Sequence, residues 1–236
     1  MNRLPRTTRP KRKRDSSSLM KPSAVTDLPP CSAIVLAGGQ GLRMGGRDKG
    51  LVELAGAPLV AHVLARLTPQ VDDIVINCNR NQARYAAFGW PLAGDTAADG
   101  GPLQGILSAL PQCRHDWALV VPCDSPFLPA DLHHRLRAAV HGHRLAVAHD
   151  GERLQPLFML LHRSLAPSLE QWLASGQRKV EHWCQQEHAA IARFEDMRAF
   201  GNLNTVEDLE NGEKKLCTTE NSSVKNPAQP MPPEKS

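Results

Sequence analysis

Glycines and basic residues are interleaved in the run LAGGQGLRMGGRDKG, residues 36–50, which follows the apolar segment SAIV. Glycine has no Cβ, so its backbone N–H groups can approach an anion closely. The Arg43 guanidinium can hold phosphate oxygens through two hydrogen bonds, and the Lys49 ammonium supplies a mobile point charge. The run therefore predicts a phosphate-binding loop, with a tight turn carrying solvated cations as the structural alternative.

Two common phosphate-binding motifs are excluded by spacing. The dinucleotide fingerprint G-x-G-x-x-G begins at Gly39 and Gly41, but its third position is Met44. The ATPase loop needs Ser or Thr after its lysine, whereas Lys49 precedes Gly50. A flexible linker does not fit either, because the run joins an apolar strand pattern to an amphipathic helix pattern. A strand-to-helix loop with its own pattern remains.

Apolar runs alternate with helical patterns along the chain. The predicted strands cover residues 31–37, 72–79, 117–124, 144–150, 154–162 and 191–196. The predicted helices cover residues 56–67, 101–113, 129–140, 165–175, 179–186 and 204–210. This alternation predicts an α/β domain, a three-layer Rossmann-like nucleotide-binding fold with a mainly parallel central sheet.

Composition divides the chain into three parts. Residues 1–30 are rich in Pro, Ser, Lys and Arg and are expected to be a disordered basic extension. Residues 31–210 form the folded domain, and residues 211–236 are expected to be a disordered polar tail. The net charge of +4 originates in the extension, which holds the run RPKRKR. No nucleic-acid module accompanies that run, so nucleic-acid binding is not expected.

The chain is expected to be cytoplasmic. No apolar stretch is long enough to span a membrane, and the basic N-terminus lacks the apolar region of a secretory signal. The six cysteines show no C-x-x-C spacing and no zinc-ligand pattern with histidine. Free thiols in a reducing compartment are therefore predicted.

Polar residues stand at the carboxyl ends of three of the predicted strands. They are the glycine-rich run itself, Asn77 and Asp124. In a parallel sheet, ligands bind beyond the carboxyl ends of the strands, near the point where strand order reverses. A nucleotide site is therefore predicted at this edge, with Asp48 and Asp99 as further carboxylates that spacing does not exclude.

Several motifs in order resemble one family. They are LAGG-x-x-x-RMG-x-x-x-K at 36–49, DKGLVEL-x-G-x-PL at 48–59, VINCNR at 75–80, GPLQG at 101–105, VPCDSPFLP at 121–129, LQPLF at 154–158 and FGNLNTVEDL at 200–209. Together they make residues 32–209 similar to the molybdenum cofactor guanylyltransferases, members of the nucleotidyltransferase superfamily. Any one motif is moderately specific, whereas their order and coverage are strong.

The resemblance implies transfer of GMP from GTP to Mo-molybdopterin, with release of pyrophosphate and formation of molybdopterin guanine dinucleotide. It implies catalytic roles for Arg43, Lys49 and Asp124, with Mg²⁺ held by Asp124. The implied GTP-binding residues are Leu36, Ala37, Gly38, Gly39, Lys49, Asn77, Asp95 and Asp124. It places Gln155, Asn202 and Asn204 toward the molybdopterin. Transient contacts with cofactor-synthesis proteins and acceptor molybdoenzymes are further expected, and membrane binding is not.

Local structural roles remain open for several of these residues. Asp124 could cap the following segment, Asp95 could stabilise a turn, and Asn77 could bond nearby backbone. Asn202 and Asn204 could belong to a loop that ends in a helix cap. Relatives that use CTP on the same cofactor typically carry LAAG where this chain has LAGG. A nucleotidyltransferase with CTP or a sugar phosphate, or a non-catalytic nucleotide-binding module, is the alternative.

Overall fold

Mainly apolar runs of four to nine residues form the six longer strands that the structure describes, and amphipathic segments form the helices that cover them. The computed structural model describes residues 29–39, 48–98 and 100–223. The strands are β1 (Cys31–Leu36), β2 (Glu53–Leu54), β3 (Ala57–Pro58), β4 (Asp73–Asn77), β5 (Leu92–Ala93), β6 (Trp117–Pro122), β7 (Leu145–His149), β8 (Leu154–His162) and β9 (Ala190–Arg193). The helices are α1 (Leu59–Leu67), α2 (Gln82–Ala86), α3 (Gly101–Ala109), α4 (Leu132–Ala139), α5 (Ala166–Ala174), α6 (Val180–Gln186) and α7 (Val206–Ser223).

Seven strands form one sheet in the order β5-β4-β1-β6-β8-β7-β9. Only the pairs made by β8, with β6 and β7, are antiparallel. The short strands β2 and β3 form a separate hairpin. After β1 the chain builds β4 and β5 on one side and then crosses to β6 on the other. Strand order thus reverses beside β1, where a ligand crevice is expected.

The sheet is covered on both faces, because successive side chains of a strand point to opposite sides. In β6, Leu119 and Val121 belong to one apolar cluster, and Ala118 and Val120 belong to the other. Helices α1, α2 and α4 contribute to the first cluster. Helices α3, α5 and α6 contribute to the second. The predicted three-layer α/β fold with a mainly parallel sheet is confirmed.

Helix α7 extends past the domain boundary that was expected at residue 210, so residues 211–223 are helical rather than part of a disordered tail. The spacing of Leu209, Gly212 and Leu216 explains the difference, because it puts them on one helix face. A Cβ added to Gly212 would stand 3.1 Å from Leu54 Cδ1 and 3.2 Å from Leu203 Cδ1. The helix therefore packs closely on the β2–β3 hairpin.

A reciprocal cap starts α7. Thr205 Oγ1 accepts a hydrogen bond from the Asp208 N–H at 3.1 Å. The Asp208 carboxylate in turn accepts from the N–H groups of Asn204, at 2.9 Å, and Thr205, at 2.8 Å. This arrangement is the capping box. It also fixes the backbone of Asn204 just before the helix.

The thiols of Cys31, Cys78, Cys113, Cys123 and Cys184 are free and buried, as predicted. Within the part of the chain that the structure describes, no helix is both long enough and apolar enough to cross a membrane.

Ending the chain at residue 210 should lower the free energy of unfolding by about 2 kcal/mol, because Leu216 and the cation–π contact of Lys215 with Phe127 are lost. Urea denaturation measures the change, and a chain that ends at residue 223 serves as the control. Equal stability of the two shortened chains would show that the packing of residues 211–216 contributes nothing.

Asp208→Ala should lower the melting temperature at neutral pH and have less effect in acid. Hydrogen bonds from the backbone, first that of Asn204, lower the pKa of Asp208 below its ordinary value of 3.8. The carboxylate therefore stabilises the fold fully above pH 3.8, and this contribution is lost as the pH falls through the lower folded value.

Glu207→Ala removes an exposed carboxylate from the same helical turn and is the matched control. Thermal scans of both variants and the parent between pH 7 and pH 2 measure the effect. A difference between Asp208→Ala and the parent that stays constant over this range would contradict the capping role.

Candidate active site

A cleft of about 1160 Å³ opens at the carboxyl ends of β1, β4 and β6. Its lining includes all eight residues predicted to bind the nucleotide: Leu36, Ala37, Gly38, Gly39, Lys49, Asn77, Asp95 and Asp124. The predicted acceptor-side residue Asn202 also lines it. The topology therefore brings together residues that lie far apart in sequence, at the crevice expected from the reversal of strand order.

Backbone hydrogen bonds hold the three strand ends in register. The Ala37 N–H donates to the Asn77 carbonyl at 2.8 Å, and the Cys123 N–H donates to the Leu36 carbonyl at 3.1 Å. These bonds extend the parallel ladders by one residue past β1 and β6. The residues that follow, Gly38 and Asp124, consequently start from fixed backbone positions.

Asn77 is buried at the end of β4 between two glycines. Its Nδ2 donates to the Ala93 carbonyl at 3.1 Å and to Asp95 Oδ1 at 2.8 Å. A Cβ built on Gly38 would stand 2.9 Å from Asn77 Oδ1, and one on Gly105 would stand 2.4 Å from the same atom. Because real Cβ atoms do not come so near, both glycines are needed for the amide to occupy this place.

Asp95 binds a second amide, that of Asn79, through a reciprocal pair of hydrogen bonds. Its Oδ2 accepts from Asn79 Nδ2 at 2.7 Å, and its backbone N–H donates to Asn79 Oδ1 at 2.8 Å. The Arg80 guanidinium donates to the Gly39 carbonyl at 3.1 Å. Asn79 and Arg80 belong to the motif VINCNR but were not predicted to be site residues, although they lie two and three residues after the end of β4.

Lys49 and Asp124 form an ion pair across the cleft. Lys49 Nζ lies 3.2 Å from Asp124 Oδ2 and also donates to Asn204 Oδ1. The Asp124 side chain is 9% exposed and the Lys49 side chain 27% exposed. A carboxylate so shielded at a strand end is stabilised by a cation. Lysine supplies that cation here, and the cleft beside it is open to a ligand.

The segment before α7 is bound to the end of β6. Ser125 Oγ donates to Asn202 Oδ1 at 2.6 Å, and the Leu203 N–H donates to the Asp124 carbonyl at 3.0 Å. Asn202 and Asn204 are therefore held beside Asp124 in addition to preceding a capped helix. Their roles toward a second substrate remain predictions.

The structure places Gln155 away from this arrangement and does not describe Arg43. Gln155 does not line the cleft, and its Nε2 donates to Asp150 Oδ2 at 2.5 Å in the turn between β7 and β8. Arg43 lies in residues 40–47, outside the described residues, as does the alternative carboxylate Asp99. The roles of Gln155 and Arg43 remain predictions.

The arrangement of donors fits a divalent cation held jointly by protein and ligand. Among the described residues, no group of three or more His, Cys, Asp and Glu side chains is placed to hold a metal. Mg²⁺ is commonly held by one or two carboxylates together with substrate phosphates and water. Asp124 can supply such a carboxylate at the cleft, whereas both oxygens of Asp48 accept hydrogen bonds, from Tyr85 and Asn81.

The Cys123 thiol, next to Asp124, is unsuited to act as a nucleophile. Its burial, and then the negative charge of Asp124, raise the pKa of this thiol well above the ordinary value of 9.0. The thiol therefore stays protonated at neutral pH, and the reactive nucleophile in cysteine chemistry is the thiolate. Charge stabilisation and positioning are the chemistry that the cleft offers.

Comparison with known proteins points to one family. The sequence model described as MobA-like NTP transferase domain matches residues 33–191. The molybdenum cofactor guanylyltransferase of Pasteurella multocida is 49% identical over 183 residues, covering 76% of this chain and 97% of that protein. The protein of the same name from Shewanella loihica is 45% identical over 183 residues, covering 76% of this chain and 93% of that protein.

A solved structure supports the fold. Molybdopterin-guanine dinucleotide biosynthesis protein A from Archaeoglobus fulgidus matches with a TM-score of 0.64 at 24% identity, covering 80% of this chain and 99% of that chain. The sequence relatives assign the family in addition to the fold, because this chain matches them over nearly their full length. The chain belongs to the molybdenum cofactor guanylyltransferase family and is a nucleotidyltransferase with a MobA-like NTP transferase domain.

Proposed function

We propose that this nucleotidyltransferase transfers GMP from GTP to the phosphate of Mo-molybdopterin, with Mg²⁺ as its metal. The observation that carries the proposal is the ion pair of Lys49 and Asp124 in the same cleft as Asn77 and Asp95. A cation and a metal-binding carboxylate suit a triphosphate, and the buried Asn77 amide beside the Asp95 carboxylate suits the hydrogen-bonding groups of a base. The names of the curated relatives support guanylyl transfer as the reaction.

The phosphate side of the proposed complex is formed by Lys49, Arg43 and Asp124. Lys49 already holds a carboxylate oxygen at 3.2 Å and can move to phosphate oxygens on a flexible stem. Asp124 would hold Mg²⁺, which neutralises charge on the phosphates when it is bound. The glycines that follow β1 admit the ligand close to the backbone.

The base side is formed by the end of β4 and the loop after β5. Gly38 is the position at which CTP-using relatives typically carry Ala, in LAAG. In this chain an alanine methyl there would crowd Asn77 Oδ1 and Asn79 Nδ2, at 2.9 and 3.0 Å. The first glycine of LAGG, Gly38, therefore leaves the space that these two amide side chains occupy. This arrangement favours GTP over CTP as the substrate.

The reaction exchanges one phosphoanhydride bond for another. A phosphate oxygen of the acceptor attacks the α-phosphorus of GTP in line, the bond from that phosphorus to the bridging oxygen breaks, and pyrophosphate leaves. The attacking phosphate is already ionised at neutral pH, so no general base is required. Lys49 and Arg43 offset negative charge, and the site holds the two substrates in line.

Asp124→Asn should reduce pyrophosphate release from GTP and Mo-molybdopterin at least about 100-fold, because an electrostatic group at the reacting centre is lost. The control is Asp116→Asn, which removes a 67% exposed carboxylate at the other end of β6. A coupled pyrophosphate assay at saturating substrates measures both. Near-parental activity of Asp124→Asn would contradict the metal assignment.

Lys49→Ala should raise the KM for GTP about tenfold or more, because the ammonium that meets the triphosphate is removed. Initial rates at varied GTP concentration measure the change. An unaltered KM would leave the glycine-rich run as a structural turn.

Gly105→Ala should raise the KM for GTP about tenfold, because overpacking costs typically 1–3 kcal/mol and the methyl would displace Asn77. Gly38→Ala crowds the same amide from the opposite side, so it should act in the same direction and weaken the preference for GTP over CTP. Rates with GTP, CTP, ATP and UTP test both variants. Unchanged kinetics of both would show that the place of Asn77 is unimportant.

A further inference from the structure

The carboxylate that precedes Lys49 is held by two donors of helix α2 and its N-terminal flank. Tyr85 Oη donates to Asp48 Oδ1 at 2.6 Å, and Asn81 Nδ2 donates to Asp48 Oδ2 at 3.0 Å. Both oxygens of Asp48 are thereby engaged by residues more than thirty positions away in sequence. A short 3-10 turn begins directly after Asp48, with the Leu51 N–H donating to the Asp48 carbonyl at 3.1 Å.

Tyr85 contacts the segment that carries Lys49 at a second point. A Cβ built on Gly50 would stand 2.4 Å from Tyr85 Oη and 3.1 Å from Cys123 Sγ. Glycine at residue 50 thus lets the backbone lie directly against the tyrosine hydroxyl and the end of β6. The buried Tyr85 therefore lies against the backbone that carries Lys49, at the point where this backbone also meets Cys123, the neighbour of Asp124.

The tyrosine is suited to remain a hydrogen-bond donor at all physiological pH values. Its side chain is fully buried. Burial first, and then the neighbouring Cys123 and Asp48, raise the pKa of Tyr85 well above its ordinary value of 10.0. A protonated hydroxyl keeps donating to the carboxylate, so the contact is a constant feature and not a switch.

We infer that Tyr85, together with Asn81, is a positioning residue for the nucleotide: it fixes Asp48 and thereby holds the Lys49 ammonium where the triphosphate binds. Without these two donors, the Asp48 carboxylate could attract the ammonium of the adjacent Lys49 and draw it away from the phosphates. The inference rests on the proposed function for the identity of the nucleotide. Helix α2 would thereby help to position Lys49, which the glycine-rich run does not do by itself.

The test compares Tyr85→Phe with Ser32→Ala. Tyr85→Phe removes only the hydroxyl. Ser32→Ala removes another buried hydroxyl that donates to a carboxylate, Asp73, at 2.8 Å, but at the opposite end of the sheet. Isothermal titration calorimetry with GTP and Mg²⁺, without acceptor, measures the Kd of each variant at a temperature below the melting temperatures of both. Thermal scans give the loss of stability.

We expect both variants to melt at a lower temperature and only Tyr85→Phe to lose nucleotide affinity. Its Kd should rise about five- to tenfold, which is the size of one ordinary net hydrogen bond, because the displaced ammonium loses part of its interaction with the phosphates. Its kcat at saturating GTP should stay within about twofold of the parent. A Kd for Tyr85→Phe equal to that of Ser32→Ala would overturn the inference and leave Tyr85 a structural residue.

Asp48→Asn provides the second measurement, through a double-mutant cycle. If Tyr85 acts through Asp48, Tyr85→Phe should change Kd much less in the Asp48→Asn background than in the parent. Additive effects of the two substitutions would contradict that connection.

The proposed function can fail separately. A parent protein that binds GTP but releases no pyrophosphate with Mo-molybdopterin would contradict the proposed function and leave the positioning role intact. A parent that binds none of the four nucleoside triphosphates would contradict both.

Discussion

Three parallel strands end side by side, and every described group of the candidate site depends on that alignment. β1 pairs with β4 on one side and with β6 on the other, both in parallel. The bonds from Ala37 to Asn77 and from Cys123 to Leu36 continue the ladders beyond the strands. A parallel pair directs both carboxyl ends to one edge, so residues separated by forty to ninety positions become neighbours.

The charged side chains of the site are paired with one another, and a bound triphosphate would change these pairs. Lys49 neutralises Asp124, while the amides of Asn77 and Asn79 satisfy both oxygens of Asp95. Each of these carboxylates thus has a partner. In the proposed complex Lys49 would contact phosphate oxygens, and Asp124 would hold Mg²⁺, which would offset further charge on the phosphates.

The sequence was sufficient for the layers of the fold and for the eight nucleotide-binding residues that line the cleft. Strand patterns located the carboxyl ends, where Asn77 ends β4 and Asp124 lies two residues after β6. Hydrogen bonds between side chains that only the tertiary fold brings together could not be predicted from the sequence. The bond of Tyr85 to Asp48 joins α2 to the glycine-rich run, and neither motif encodes the other. Strands of two residues, such as β2 and β3, are too short to show a periodic pattern. The last helix is predicted to end at residue 210, before the observed end of α7, because its apolar stripe is narrow among polar residues.

The central claim is that the α-phosphorus of GTP is transferred to the molybdopterin phosphate. The most direct measurement follows the label of α-³²P GTP after incubation with the protein, Mg²⁺ and Mo-molybdopterin. The account predicts that the label appears in a molybdopterin guanine dinucleotide and that the released pyrophosphate is unlabelled. Label that remains in GTP, or that appears in free GMP without a dinucleotide product, would contradict the account.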